Sequence, residues 1–469
     1  MLFASAILFF CSQTDGLAYQ GLQLPISANN MKLSTSVVDE FSLGFSDRDK
    51  QLIADLNTRY PLGSLTKAFV ATTVSELVHE GLLEWDKPVT AYIPELQFTA
   101  DPALADRLAL IDLLSHQTGL ERLDTINQLS PAYPLRTKWQ YNDWMYALVG
   151  EIIERQTTVI RSRIPADATA RPYMITDGGE AVRIADVSLL DGTTMSPPGG
   201  GVRSSAHDML IWAKALMAGF RRDPSPLHRV GNVLSGYAIT NRSSGFDELY
   251  ALGLAKVTSP TQFGKMGFNP NLVDVMPLIG QDHPPTSIFY HNGAMPGYNH
   301  CLVMIPGQQA AIAVLTNSIS QGDIADWVAQ IILQAVIGSN RPVDLVPIAE
   351  DAAKRWKTRY ATMVETLEKG RTPNTEEPPH AALVGHYQHK NTRTTHTLKH
   401  YHHDTFCFLP SAEERIQRAL FHYTAPTWLL HFEKREETGA VWSIKWKLGN
   451  QVTDGEIFKR VSESPSGST

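Results

Sequence analysis

Ser64-Leu65-Thr66-Lys67 sets a serine and a lysine three positions apart, where a loop ends and an apolar-periodic segment begins. If that segment is helical, Ser64 sits at its N-terminus and Lys67 follows one turn later on the same side. A free hydroxyl is a poor nucleophile and needs a base within about 2.6–3.2 Å, a task that a desolvated lysine with a lowered pKa can fill. The same helix end offers unpaired N–H groups to an oxyanion. Taken alone, the motif equally fits an N-cap serine followed by a surface lysine. The chemistry therefore has to be carried by more than these four residues.

Other reactive groups are weaker candidates. Ser115 and His116 are adjacent, and neighbours in a turn seldom face each other, so both read as structural. Six histidines gather near the C-terminus, His386, His389, His396, His400, His402 and His403. His400 and His402 would share a strand face, but no Asp, Glu or Cys completes a metal site at familiar spacing, and a solvated face is the expectation. The three cysteines, Cys11, Cys301 and Cys407, are far apart and odd in number, which excludes a disulfide framework and a cysteine zinc site. With 41 Lys and Arg against 48 Asp and Glu, a net charge of -7 and no basic stripe, nucleic acid is excluded as a partner.

The elements that must position Ser64 and Lys67 are legible in outline. A helix is expected from the Pro61-Leu62-Gly63-Ser64 turn to near Gly81, with Leu65, Phe69, Val70, Val74, Leu77 and Val78 at helical spacing. A second amphipathic helix follows Tyr141, and a third spans Ala206 to Met217 after the Gly199-Gly200-Gly201 turn. From Ser287 the runs SIFYHNG, HCLVMIP and AAIAVLTN read as neighbouring strands, followed by a helix from Ile324 to Val336. The Pro-, Thr- and Glu-rich stretch 366–379 reads as a linker, and the aromatic-rich runs after it as a small antiparallel barrel or sandwich. The apolar opening Met1 to Phe10 fits either a leader without a basic n-region or a buried start, and is too short to span a bilayer.

Two stretches around these residues, Arg59 to Phe69 and Leu113 to Leu120, resemble signatures of the serine β-lactamase-related, penicillin-binding-protein-like superfamily of the class C type. Two more fit in order: Tyr141-Asn142-Asp143 resembles that family's Tyr-x-Asn motif, and His291-Asn292-Gly293 its Lys-Thr-Gly or His-x-Gly motif. With Gly200 to Ser205, the resemblance covers roughly residues 41–337. It implies Ser64 as nucleophile, Lys67 as proton acceptor or relay, Tyr141 working with Lys67 as base and then acid, and His291 in place of the usual lysine. It also implies that the N–H groups of Ser64 and Ala294 form the oxyanion hole, with Gly293, Asn292 and Asp143 lining the substrate. Asp143 departs from the usual Asn and replaces an amide donor by an acceptor-only carboxylate, which would repel an anionic substrate. The strands expected before the nucleophile are poorly represented ahead of Phe41.

The resulting expectation is an α+β chain. Residues 1–365 form a β-lactamase/transpeptidase-like α/β sandwich with a helical insert at about 85–220, 366–379 a linker, and 380–469 a β-barrel-like domain. The resemblance implies a serine hydrolase or acyltransferase for a small-molecule ester, thioester or amide, near the esterase and transesterase branches that include fungal enzymes of secondary metabolism. It implies no cofactor, metal or membrane partner. Rival readings are a catalytically silent binding relative and a D-amino-acid peptidase or β-lactamase. A cytoplasmic location is expected, with secretion left open by the apolar start.

Overall fold

The computed structural model describes residues 6–10, 38–98, 101–120, 133–157, 169–176, 179–184, 197–242, 246–319, 321–379, 383, 398–411, 414, 424–434, 441–447 and 456–459. Its first compact unit, Met1–Trp356, is built on an eight-stranded sheet. The strands are β1 (Ala6–Phe10), β2 (Val38–Phe41), β3 (Ala238–Asn241), β4 (Glu248–Tyr250), β5 (Ala255–Thr258), β6 (Ser287–Met295), β7 (Tyr298–Ile305) and β8 (Ala310–Leu315), in the order β2-β1-β8-β7-β6-β5-β4-β3. The apolar opening thus supplies β1, hydrogen-bonded to β8 on one side and β2 on the other. These two are the strands that the sequence signals poorly ahead of the nucleophile.

Strands β6, β7 and β8 are largely buried, with apolar runs at Ile288–Tyr290, Cys301–Ile305 and Ala310–Leu315, because helices cover both faces. Period-two alternation sends Ile288, Tyr290, Cys301, Val303, Ile312 and Val314 to one face, against a helix at Ile324–Val336. Phe289, Leu302, Met304, Ala311 and Ala313 go to the other face, against a helix at Ala206–Arg221. Among the described residues, the α-helices of five residues or more are, in chain order, α1 (Thr66–His79), α2 (Leu110–Leu114), α3 (Asp143–Gln156), α4 (Ala206–Arg221), α5 (Ile324–Val336) and α6 (Val346–Gly370). Ser205 caps α4 by accepting from the Asp208 N–H at 3.1 Å, and Asp323 caps α5 by accepting from the Asp326 N–H at 3.1 Å. Val328, Leu333 and Val336 of α5 are buried, each worth about 1.5–3 kcal/mol of apolar burial. The helical insert closes a separate core in which Val70, Val74 and Leu77 of α1 meet Leu113, Leu114, Met145, Tyr146 and Ile152.

The second compact unit, Lys357–Thr469, begins inside α6, so the first residues of the expected linker, 366–370, are helical. It holds an antiparallel sheet of β9 (Lys399–His402), β10 (Thr405–Cys407), β11 (Leu429–Lys434), β12 (Val441–Trp446) and β13 (Glu456–Lys459) in chain order. Among the described residues this is an open meander in which β9 and β13 are the edges, not a closed barrel. Tyr401, Phe408 and Trp428 pack with Met363 and Leu367 of α6. A bulge separates His400 from His402, and His400 Nε2 lies 2.9 Å from the His403 carbonyl oxygen. His386, His389, His396 and Cys11 lie outside the described residues.

Candidate active site

Strand β6 and the start of α1 come together through two glycines. Gly63 adopts φ +55°, and a Cβ there would lie 2.8 Å from the Ala294 nitrogen; a Cβ on Gly293 would lie 2.2 Å from the Leu62 carbonyl oxygen. Only glycine permits so close an approach of two backbones. β5 pairs with β6 only as far as Tyr290, so the β6 edge from His291 to Met295 is left to the turn Gly63–Leu65. Ala294 is therefore next to the nucleophile turn, with its backbone against Gly63. Within that turn Ser64 is partly exposed while Gly63 and Leu65 are buried, as is Lys67 in the first turn of α1.

The Tyr141 hydroxyl donates to Ser64 Oγ at 2.7 Å, and Lys67 Nζ lies 3.2 Å from the same oxygen. Lys67 is fully buried and has two further acceptors, the Gly199 carbonyl at 2.8 Å and Asp143 Oδ1 at 2.6 Å. Asn142 caps α3 by accepting from the Trp144 N–H at 3.0 Å. The buried His116 Nδ1 accepts the Asn142 N–H at 3.2 Å, and its ring is 4.5 Å from that of Tyr141. His116 thus fixes the chain that presents Tyr141, while Ser115 Oγ bonds Gln117 Oε1 at 3.2 Å.

Charge is distributed differently from the sequence expectation. Burial pushes the Lys67 ammonium down, but the neighbouring Asp143 carboxylate and Tyr141 more than offset it, and its pKa is raised above the ordinary lysine value. The expectation of a lysine made basic by desolvation therefore does not hold, because it omitted the carboxylate at 2.6 Å. Burial is also the main cause that raises Tyr141. His291 is lowered to about 4, by burial first and by Lys67 second, so its imidazole is neutral at neutral pH. Its Nδ1 faces the Asn292 carbonyl at 2.6 Å, an acceptor only, so Nδ1 carries the proton and Nε2 accepts from the Tyr250 hydroxyl at 3.1 Å.

Asn292, expected to line the substrate, turns the other way. It shares the parity of Ile288 and Tyr290 on β6, and its Nδ2 donates to Asp326 Oδ1 at 3.1 Å and Asp323 Oδ2 at 3.3 Å beneath α5. Tyr250, Gly199 and Gly253 were not anticipated. Gly253, at φ +84°, lets the chain pass the start of α1: a Cβ there would be 2.6 Å from the Lys67 carbonyl carbon. The sequence signal for Tyr250 is a three-residue strand, Glu248–Tyr250, too brief to single out.

The family model described as Beta-lactamase matches residues 34–335. A β-lactamase of Providencia stuartii is 22% identical over 331 residues, covering 63% of this chain and 82% of the relative. An unguisins hydrolase, ungD, of Aspergillus violaceofuscus is 27% identical over 153 residues, 27% of each chain. Among solved structures, a β-lactamase/D-alanine carboxypeptidase from Pseudomonas syringae aligns with a TM-score of 0.52 at 17% identity, covering 72% of this chain and 95% of that one. A class C β-lactamase aligns with a TM-score of 0.50 at 16% identity, covering 73% and 92%. The matched span contains every strand of the sheet but β1, together with the turn, helices and β6 edge that surround Ser64, and this chain belongs to the beta-lactamase family.

Proposed function

We propose that the chain is a serine acyl-enzyme hydrolase or acyltransferase acting on an uncharged ester, thioester or amide of a small metabolite. The observation that carries this reading is the meeting, at one partly exposed hydroxyl, of Tyr141 at 2.7 Å and Lys67 at 3.2 Å. In the proposed reaction the Lys67–Tyr141 couple takes the Ser64 proton as Oγ attacks the acyl carbon. The N–H groups of Ser64 and Ala294 receive the oxyanion, and Tyr141 returns the proton to the leaving group as the intermediate collapses. Water or a second metabolite then attacks the ester on Ser64 by the reverse sequence.

The preference for uncharged substrates follows from the electrostatics. The Lys67 charge is offset by Asp143, and His291 is a neutral imidazole where the resemblance leads one to expect a cation. A carboxylate beside the scissile bond would find no counter-charge in these groups. The relative named as an unguisins hydrolase supports a place in secondary metabolism. Incubation with a fluorophosphonate followed by intact-mass analysis and peptide mapping tests the reading. One phosphonyl group on the peptide between Arg59 and Lys67 is expected. Labelling elsewhere, or none in a folded preparation, would overturn it, and labelling without turnover of any ester would favour a silent binding relative.

A further inference from the structure

We infer that Asp143 is a positioning residue that holds a proton on Lys67 and so makes activation of Ser64 an alkaline event. This inference rests on the acyl-enzyme reading and says how that site is regulated by pH. Lys67 Nζ meets Asp143 Oδ1 at 2.6 Å, the Gly199 carbonyl at 2.8 Å and Ser64 Oγ at 3.2 Å, with the Tyr141 side chain as a further hydrogen-bond partner. An ammonium can serve the first three with its three N–H groups. A neutral amine gives two N–H groups to Asp143 and Gly199 and turns its lone pair toward the Ser64 hydroxyl, so hydrogen bonding admits both states and charge must separate them.

The titratable groups around Lys67 are Asp143 and Tyr141 at the start of α3, Tyr146 within α3, His291 on β6 and Tyr250 on β4. The Tyr141 and Tyr146 ring centroids lie 4.8 and 5.4 Å from Nζ, and Tyr250 reaches the group through the His291 ring. Burial keeps the three phenols and the imidazole neutral at neutral pH, which leaves Asp143 as the anion of the set. An amide at this position would offer Lys67 a dipole; the carboxylate, its side chain 35% exposed, offers a full charge to a fully buried ammonium.

The proton count then fixes the pH response. At rest Lys67 and Asp143 cancel and the group is neutral. To accept the Ser64 proton the Lys67–Tyr141 couple must first lose one of its own, and the group becomes an anion, which Asp143 opposes. The couple loses that proton as a unit, so the rate reports one macroscopic value for both residues. Asp143 itself neither gains nor loses a proton in the cycle.

The test is the second-order rate constant for phosphonylation of Ser64 by a fluorophosphonate, a reaction that forms the Oγ–P bond, breaks P–F and releases fluoride and the serine proton. It is measured on the full chain from about pH 5 to about pH 10 for wild type, Asp143→Asn and Asp143→Ser. The wild-type rate should climb on the alkaline side of neutrality. In both variants the ascending limb should move at least about one pH unit toward acid, giving roughly tenfold faster labelling at neutral pH. Asp143→Ser reads the same limb should Asp143→Asn misfold. An unmoved limb, or loss of labelling in the folded variants, overturns the inference while leaving the acyl-enzyme reading intact. No labelling of Ser64 at any pH overturns both.

Discussion

Strand β6 has acids packed toward both faces, and the two sides handle them in opposite ways. On the face toward α1, Asp143 meets a fully buried Lys67 at 2.6 Å and the pair keeps its charges. On the face toward α5, Asp323 and Asp326 lie together among the amides of Asn292, Asn269 and Gln330. Gly264 leaves room there, since a Cβ would come within 2.6 Å of Asp326 Oδ2. Burial raises both carboxyls, and for Asp323 the neighbouring Asp326 adds to it. A partly exposed acid is thus paired with a buried cation where the site needs chemistry, and buried acids are pushed toward the protonated form, by burial first, where the fold needs a strut.

The largest expected effects lie on the α1 face. Ser64→Ala and Lys67→Ala should each cut ester turnover by about 10⁴-fold or more, because residues that act as a unit fail together, and Tyr141→Phe by roughly 10²–10⁴-fold. Near-normal acylation by folded Lys67→Ala would remove Lys67 from the proposed base. Gly293→Ala should cost on the order of 10²-fold, since the added methyl must displace the Leu62 carbonyl and with it the nucleophile turn; steady-state kinetics beside a melting curve would separate displacement from unfolding. A neutral short-chain ester should exceed a cephalosporin in kcat/KM by about tenfold or more. Faster cephalosporin turnover would contradict the charge argument.

The smallest catalytic effect should come from the α5 face. Both carboxyls are raised above their unfolded values, so the native state holds protons that the unfolded chain releases. Their contribution to stability is complete below about pH 4 and is lost progressively as pH rises toward the raised values. Asp323→Asn should flatten that decline, measured as denaturation midpoints across pH, and change turnover by no more than about threefold. An unchanged pH slope would show that the pair is not protonated.

Much of this was legible because helical and strand periods are local. The helix expected from Ile324 to Val336 spans those residues, and the three apolar runs from Ser287 are adjacent strands. The Ser64, Tyr141 and His291 stretches converge, as motif order implied. Helix α6 was not legible: its buried residues Ala352, Trp356, Met363 and Leu367 form a thin stripe in a highly charged segment, divided between the two units. The orientation of Asn292 was available from parity, because a strand that points His291 and Gly293 at the site must point Asn292 away. The sequence displayed the charge of Asp143 without its partner, and a pairing across 76 positions is set by tertiary packing.

Strand β1 has a consequence for how the chain reaches this state. Ala6 stands opposite Leu315 and Phe10 opposite Ala311, so one ladder joins segments separated by roughly 300 residues, a non-local closure of the kind that slows folding. Until β8 has been made, β1 lacks its partner on that side, and an unpaired strand edge invites pairing with other chains. Assembly of the Ser64 site is therefore a late event: the β6 edge against which Ser64 is set belongs to the same stretch, 287–315, whose arrival completes the sheet.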